Sequence, residues 1–433
     1  MILAIDLGST SFKAAVFDRR LRLMTSGSGR LRYRFGAGGL VELDVAVVHA
    51  ALRCALDEAR VRDHDIKIVA LTSQAQTFTW VDARGRARMP FLSWQDTRSA
   101  TDCVALKLKL KGFSEHSSFS HLFPGLQVCQ LRRLRSGGQG MPLLLPSYIL
   151  RLWTGEAITD NNIAAMSGLY SMITNGWWPA ALRACGLSES QLPRVIQVGE
   201  IAAETTSAAQ PFGLPRGVPV VLAGNDQTAG GFGAGLEKRQ ELLISLGTAQ
   251  VAYTCHRTMP RLLAGASRGP YPGGLFYRMA ADRCGGNVVN WAQAVLAGCT
   301  TPAGFDAVAA SSPAGCRGVV FEPGDAPEGG AWRNIGLHHG PGDLARAVLE
   351  SLARRMAHMV STIYPGPLPV VNVAGGGAQS VLWRDILAKE LGVPVVLTRA
   401  TPLAGAARLA DNVRRVNAQM RSACSGNRES VKM

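Results

Sequence analysis

The chain has 433 residues, which is too long for a single compact core. Two domains of about 200 residues each are therefore expected. Hydrophobic residues make up 47% of the chain, but no apolar run reaches the roughly 18 residues that span a bilayer, so no membrane association is expected. The net charge of +15 comes from small, dispersed basic groups without interleaved aromatics, which argues against a nucleic-acid partner.

The first hundred residues alternate between strand-like and helix-like patterns. Apolar runs predict strands at 2–6, 13–18 and 67–72, and the apolar periodicity of residues 45–60 predicts a helix. A turn at 81–90 then leads to a second apolar stretch, Phe-Leu-Ser-Trp. This alternation is typical of an α/β fold whose sheets are flanked by helices.

Residues 2–17 read ILAIDLGSTSFKAAVF, which predicts a hairpin with a Gly–hydroxyl turn. Such a turn leaves N–H groups and hydroxyls free to hold phosphate oxygens, supplied here by Gly8, Ser9 and Thr10. Lys13 adds a positive charge, and Asp6 at the strand end suits a hydrated Mg²⁺ ion beside phosphates. The alternative interpretation is a polar turn in which Asp6 only satisfies local N–H groups.

Two segments that follow apolar runs could recognise a sugar. Gln76 lies in the sequence Ser-Gln-Ala-Gln, and Trp94 and Asp96 lie in Ser-Trp-Gln-Asp-Thr-Arg. Indole faces stack on sugar C–H groups, and amide and acid groups bind hydroxyls. The alternative is a core tryptophan beside a surface salt bridge. Beyond residue 100 the chain is expected to be mostly helical up to 200, with a flexible loop at 136–140.

A buried strand is predicted at 218–224, and Asp226 follows it. Carboxylates at such strand ends lie in the crevice where α/β folds bind ligands, and one carboxylate suffices to take the proton of an alcohol. The alternative is that Asp226 only caps the glycine-rich, helix-like segment that follows. We place the domain boundary near residue 236, which gives domains of 1–236 and 237–433.

The second half repeats the pattern of the first. Residues 241–253, ELLISLGTAQVAY, contain a second Gly–hydroxyl turn at Gly247 and Thr248. Two such turns in one chain predict a duplicated fold in which two phosphate-binding turns face each other across a cleft. The later predicted elements are a helix at 285–297, a Gly/Pro-rich loop at 323–342, a helix at 343–362, a strand at 369–374 ending in three glycines, and a helical tail from about 412.

Nine scattered cysteines without a CxxC pair suggest neither a zinc site nor a disulfide framework, so a reducing cytoplasm is the expected location.

Taken together, these segments resemble the FGGY carbohydrate kinases of the actin, hexokinase and heat-shock ATPase superfamily, xylulose kinases in particular. The resemblance runs from residue 2 to about 410 and rests on the order of many segments, among them IDLGSTSFKAAVFD, LSWQDTRS, AGNDQTAGGFGAG, LISLGTAQV and VAGGGAQSVLW. It implies two RNase H-like (actin-like ATPase) domains that close over ATP and a small sugar, with Mg²⁺ as the metal.

The resemblance also implies a role for each matching residue. Asp226 would be the general base, Asp6 would belong to the Mg²⁺ site, and Gln76, Trp94 and Asp96 would form the sugar site. The ATP-binding residues would be Gly8, Ser9, Thr10, Lys13, Gly247, Thr248, Gly376, Gly377, Ala378 and Gln379. Xylulose-type members tend to have Met-His where this chain has Ala75-Gln76, so the identity of the sugar stays open.

The expected activity is ATP-dependent phosphorylation of a hydroxyl of a ketose or related polyol. Glycerol or another short polyol is an alternative acceptor, and a nucleotide-binding regulator without transferase activity is an alternative of a different class. The interpretation expects a small-molecule sugar as partner and is compatible with a homodimer.

Overall fold

The computed structural model describes residues 1–134, 140–239, 242–296, 301–324, 330–368 and 370–429. The loop predicted at 136–140 therefore lies, apart from Gly140, outside the described residues. Two six-stranded mixed sheets, one in each half of the chain, form the body of the molecule.

The first half carries fifteen described strands, among which eight helices are interspersed. The strands are β1 (Ile2–Leu7), β2 (Ser11–Phe17), β3 (Leu23–Arg30), β4 (Arg34–Gly36), β5 (Leu40–Leu43), β6 (Ile68–Ser73), β7 (Phe78–Val81), β8 (Phe91–Leu92), β9 (Met141–Leu144), β10 (Ile158–Asp160), β11 (Tyr170–Ser171), β12 (Gly176–Trp177), β13 (Arg194–Ile196), β14 (Ile201–Glu204) and β15 (Pro219–Asn225). The helices are α1 (Val45–Glu58), α2 (Ala100–Lys109), α3 (Phe113–His116), α4 (Gln127–Leu134), α5 (Leu145–Thr154), α6 (Asn161–Ala165), α7 (Pro179–Cys185) and α8 (Asp226–Ala234).

The second half contains a comparable alternation. Its described helices are α9 (Leu236–Arg239), α10 (Gly286–Val295), α11 (Pro302–Ala310), α12 (Pro341–Ile363), α13 (Val381–Leu391) and α14 (Pro402–Glu429). Its described strands are β16 (Leu242–Leu246), β17 (Gln250–His256), β18 (Ala266–Tyr271), β19 (Leu275–Asp282), β20 (Val320–Pro323), β21 (Gly330–Arg333), β22 (Val371–Ala374) and β23 (Val395–Leu397).

The two large sheets share one pairing pattern. In the first, of order β14-β15-β6-β1-β2-β3, strand β1 is antiparallel to β2 and parallel to β6. In the second, of order β18-β19-β17-β16-β22-β23, strand β16 is antiparallel to β17 and parallel to β22. Each sheet thus joins an antiparallel hairpin to parallel strands, which confirms the α/β fold with two sheet-rich domains.

The hairpin strands, the helix α1, the strand before Asp226 and the helix α12 lie within two or three residues of their predicted positions. Two predictions were wrong in detail. The Gly/Pro-rich segment at 323–342 is not only a loop, because Gly330–Arg333 pairs with Val320–Pro323 as a hairpin. The terminal helix begins at Pro402, well before residue 412.

The helix α14 returns from the second half of the chain to the first sheet. It packs against α8, β1 and β6, and Ala406, Ala407 and Ala410 are fully buried there. Arg408 donates to the carbonyl oxygen of Phe232 at 2.5 Å. The core that this helix completes contains side chains from both halves of the chain.

Glycines make the crossing of α8 and α14 close. A Cβ atom on Gly405 would lie 1.7 Å from the carbonyl oxygen of Ala229, which no structure tolerates without separating the two helices. The small residues after Asp226 therefore serve helix packing, in addition to any role that they have beside the ligand.

We expect Gly405→Ala to lower the free energy of unfolding by about 2 kcal/mol, because the added methyl group overpacks a backbone contact. Gly230→Ala is the matched control, since a Cβ on Gly230 in α8 would meet open space. The control should leave stability unchanged or raise it by up to about 1 kcal/mol through helix propensity. Denaturant unfolding of both variants measures this, and equal stabilities would contradict the packing argument.

Along the described residues, no helix combines the length and apolar content that crossing a bilayer would take. The cysteines that the structure describes in full are free thiols, and all of them except Cys54 are buried.

Candidate active site

Three parallel strands end at one edge of the first sheet. Leu7 of β1 pairs with Ser73 of β6, and Ser73 in turn pairs with Asn225 of β15. The segments that follow these residues therefore leave the sheet side by side. This register brings Asp6, Gln76 and Asp226 to the same edge, as the crevice argument predicts for an α/β sheet.

Asp226 does not cap the helix that it opens. The side chain of Asn225 does so, since its Oδ1 accepts a hydrogen bond from the N–H of Thr228 at 2.8 Å. The carboxylate of Asp226 accepts from the N–H and the side-chain amide of its neighbour Gln227. Burial at the sheet edge raises the pKa of Asp226. The capping alternative is thus excluded, and a partly exposed carboxylate remains available for chemistry.

Asp6 lies beside it and is nearly buried, with 8% of the residue exposed. Among the residues that the structure describes, none forms a hydrogen bond with its Oδ1. Burial, and next the negative charge of Asp226, raise the pKa of Asp6 to about 7, while Lys13 opposes the shift. A buried carboxylate oxygen without a donor is a fitting ligand for a cation.

No cluster of three or more His, Cys, Asp or Glu side chains forms a complete metal site within the described ranges. Mg²⁺ typically takes one or two carboxylates and completes its shell with water and substrate phosphates. Asp6 alone can serve as that carboxylate, and Asp226 adds negative charge beside it. A tightly chelated structural ion would need more protein ligands than this edge offers.

The first Gly–hydroxyl turn joins β1 to β2 directly above Asp6. Asp6 and Lys13 face each other across the hairpin ladder, which places the two side chains on the same face of the sheet. Thr10 and Lys13 are exposed, and Ser9 is half-buried. A Cβ on Gly8 would lie 3.0 Å from the carbonyl oxygen of Ser11, so the turn is tight at this glycine.

Gln76 has a left-handed backbone conformation, with φ of 63°, which is rare for a residue with a side chain. Its Nε2 donates to the carbonyl oxygen of Met166 at 3.3 Å. The side-chain amide of Asn225 contacts the sulfur of the same methionine. Met166 thus links the loop after β6 to the residue that precedes Asp226.

Trp94 is half-buried beside this loop, and its backbone N–H donates to the hydroxyl of Thr77 at 3.4 Å. The backbone of Trp94 is thus joined to the residue that follows Gln76. The contact of Gln76 and Trp94 with a sugar stays a prediction.

Asp96, in contrast, has no free oxygen for a sugar hydroxyl. Its side chain is fully buried and accepts hydrogen bonds from the N–H of Val41 and from Arg98. Arg98 also pairs with Glu42. The sequence did not show this because the partners of Asp96 lie up to 55 residues away. The geometry gives Asp96 a role in holding Arg98 and the backbone at Val41, and this corrects the predicted direct contact.

The second sheet places the remaining predicted residues at one edge. Ser245 of β16 pairs with Ala374 of β22. The turn at Gly247 and the glycines after residue 374 therefore leave the same edge of the sheet side by side. A Cβ on Gly375 would lie 2.6 Å from the carbonyl oxygen of Leu246. Gly376 faces open space, Thr248 and Gln379 are exposed, Gly377 is half-buried and Ala378 is buried.

The start of α10 supports the second turn, a contact that the sequence analysis missed. The N–H of Gly286 donates to the carbonyl oxygen of Gly247 at 2.8 Å, and the N–H of Asn287 donates to that of Thr248 at 3.1 Å. A Cβ on Gly285 would lie 2.9 Å from the carbonyl oxygen of Thr248. The Gly-Gly pair at the start of the predicted helix was the signal that could have revealed this contact.

Several contacts join the two halves of the chain. The hydroxyl of Thr228 in α8 lies 2.8 Å from that of Tyr253 in β17. Asn162 donates to the carbonyl oxygen of Pro270 at 2.7 Å. The guanidinium of Arg283, just beyond β19, lies over the ring of Trp94. These contacts hold the two halves together, and each half carries one group of the predicted residues.

Models of one protein family match both halves of the chain. The model of the FGGY family of carbohydrate kinases, N-terminal domain, matches residues 1–233, and that of the C-terminal domain matches residues 242–411. The chain is 26% identical to a xylulose kinase of Escherichia coli, over 95% of this chain and 89% of that protein. It is 28% identical to a glycerol kinase of Aromatoleum aromaticum, over 94% and 89%.

The fold is also that of solved structures. The crystal structure of a xylulose kinase from Brucella ovis superposes with a TM-score of 0.84 at 23% identity, covering 95% of this chain and 90% of that one.

Proposed function

Because the chain belongs to the FGGY family of carbohydrate kinases, we propose that it transfers the terminal phosphoryl group of ATP to a hydroxyl of a small ketose or related polyol, with Asp226 as the general base. The observation that carries this proposal is the Asp226 carboxylate, which is spared from helix capping and lies beside the buried, unpartnered oxygen of Asp6. A catalytically silent regulator would have no use for such an arrangement.

Asp226 acts on the acceptor. It orients the hydroxyl and takes its proton as the oxygen forms a bond to the terminal phosphorus and the bond to ADP breaks. The raised pKa of Asp226 makes it a stronger proton acceptor than an ordinary carboxylate. The hydrogen bond from the N–H of Gln227 keeps the carboxylate in place.

The two turns and the glycine segment hold ATP in this proposal. Gly8, Ser9, Thr10 and Lys13 would contact phosphates from the first sheet, and Gly247 and Thr248 would do so from the second. Gly376, Gly377, Ala378 and Gln379 would line the nucleoside, where the open space beside Gly376 leaves room for it. Mg²⁺, held through Asp6, would neutralise phosphate charge.

A screen of acceptors with detection of ADP release tests the proposal. The panel contains ketoses, aldoses, short polyols with glycerol, and sugar acids, each with ATP and Mg²⁺. We expect ADP release that depends on one class of acceptor and that disappears when EDTA is in excess over Mg²⁺. ATP binding without release of ADP on any acceptor would favour the regulator instead.

A further inference from the structure

The side chain of Asn162, in α6, is fully buried and makes three hydrogen bonds. Its Oδ1 accepts from the backbone N–H of Asn225 at 2.9 Å. Its Nδ2 donates to the hydroxyl of Thr228 at 2.9 Å and to the carbonyl oxygen of Pro270 at 2.7 Å. Because a backbone N–H only donates and a carbonyl oxygen only accepts, these partners fix which end of the amide is oxygen and which is nitrogen. Asn162 therefore uses its oxygen and both of its N–H groups.

Two of these partners lie on either side of the proposed base. Asn225 directly precedes Asp226, and Thr228 follows two residues later in the first turn of α8. Asn225 and Thr228 are also joined to each other through the cap of that helix. Asn162 thus holds the residues on both sides of Asp226.

The backbone before Asp226 leaves the regular sheet and depends on side chains for support. The pairing of β15 with β6 shifts in register just before Asn225, and Gly224 has a left-handed backbone with φ of 70°. Such an interruption of the ladder leaves backbone groups that need other partners. The hydroxyl of Thr72 donates to the carbonyl oxygen of Gly224 at 2.9 Å, and Asn162 accepts from the next N–H. These side chains, together with the sheet, set the direction in which Asp226 leaves β15.

The third partner connects this support to the second half of the chain. Pro270 belongs to β18 of the second sheet, 108 residues away from Asn162 along the chain. The hydroxyl of Thr228 also lies 2.8 Å from that of Tyr253 in β17, the strand that follows the second Gly–hydroxyl turn. The surroundings of Asp226 are therefore tied to the sheet that carries that turn. Phosphoryl transfer depends on this relation, since a misplacement of about 1 Å between reacting groups costs roughly 100-fold in rate.

We propose that Asn162 is a positioning residue for Asp226, which holds the carboxylate in the direction, relative to the second half of the chain, in which it meets the acceptor hydroxyl. Asn162 acts through Asp226 and has no part in the proton transfer. An ionised aspartate could not replace it, because a carboxylate has no proton to donate to the carbonyl oxygen of Pro270. This inference rests on the proposed function, since it takes Asp226 as the base.

Asn162→Leu tests the inference, because leucine keeps the branching of the side chain and loses all three hydrogen bonds. We expect kcat on the best acceptor to fall by about 30- to 100-fold while KM for ATP stays within about threefold of wild type. Asn161→Leu is the matched control. Asn161 is also buried in the first turn of α6, but its side chain bonds to Gln197 and Val198, away from Asp226. The control should also lose stability in denaturant unfolding, yet keep kcat within about threefold of wild type.

Asn162→Leu in the Asp226→Asn background separates positioning from a general loss of structure. A residue that acts through Asp226 has nothing left to position once the carboxylate is gone, so the residual kcat should fall by less than about threefold further. A general structural defect would instead multiply with the loss in Asp226→Asn. Asn162→Ser is put through the same comparison if the leucine variant does not fold. Serine is smaller and leaves room for a water beside the same groups, so the expected loss of kcat is about tenfold.

Three results would overturn the inference. They are a wild-type kcat in Asn162→Leu, an equal loss of kcat in Asn161→Leu, and losses that multiply in the double variant. All three leave the kinase activity standing as long as Asp226→Asn alone is impaired. Turnover close to wild type in Asp226→Asn alone would reject the proposed base, and this inference with it.

Discussion

Asp226→Asn is expected to lower kcat by about 10³- to 10⁴-fold on the best acceptor, while the affinity for ATP stays within about threefold of wild type. The amide is nearly the same size as the carboxylate, but it cannot accept the hydroxyl proton. The cap of α8 should survive, because Asn225 supplies it and not residue 226. Steady-state kinetics and calorimetric titration with ATP measure the two quantities.

Asp57→Asn serves as the control for this variant, since Asp57 is an exposed carboxylate on α1, and its kinetics should match those of the wild type. Turnover by Asp226→Asn close to that of the wild type would remove Asp226 from its role as base. So would a large loss of ATP affinity, because the defect would then lie in nucleotide binding.

Asp6→Asn should reduce turnover by at least about 10²-fold and yet stabilise the protein in the absence of ligands. The turnover falls because an amide is a poor ligand for Mg²⁺. The stability rises because burial of the charged carboxylate costs free energy in the folded wild type, and the neutral amide removes this cost. Its pKa of about 7 in the folded state lies above its ordinary value near 4.

The direction of the pH dependence follows from that shift. Below about pH 4, Asp6 is protonated in both the folded and the unfolded state, so the variant gains little. Between about pH 4 and pH 7 the unfolded carboxylate ionises first, and the folded wild type loses stability relative to the variant. Above pH 7 the gain of Asp6→Asn should level off, at most on the order of 4 kcal/mol.

Denaturant unfolding at pH 4 and pH 8, without Mg²⁺ or nucleotide, measures this gain. Asp63→Asn is a suitable reference, because its carboxylate is exposed and pairs only with Arg60 at the surface. Equal stability of Asp6→Asn and wild type at pH 8 would contradict the proposed burial cost. A loss of turnover explained entirely by unfolding would contradict the metal-binding role.

The sequence predicted the parts of the fold that depend on local pattern. The strands β1, β2, β6 and β15 are nearly continuous apolar runs, and such runs predict buried strands without knowledge of their partners. The position of Asp226 followed for the same reason, because a strand end can be located from its own residues. The two Gly–hydroxyl turns were also recognisable locally.

The parts that were missed depend on partners distant in the chain. Asp96 looked like a sugar ligand because its partner Val41, and Glu42, which shares Arg98 with it, lie more than fifty residues upstream. The contact between Arg283 and Trp94 was missed because the two residues lie in different halves of the chain. The hairpin at 320–333 was missed because glycine and proline within it are typical of loops.

The return of α14 to the first sheet has a consequence for biosynthesis. During translation the first 236 residues leave the ribosome long before residues 402–429 do. The face of β1 and β6 that α14 covers is therefore exposed to solvent until the end of the chain has been synthesised. A separately expressed first half should therefore aggregate, whereas the same half co-expressed with a peptide of residues 402–429 should be recovered in soluble form. A gene divided at residue 236 would separate the two predicted domains in sequence, but it would also separate α14 from the core that it completes.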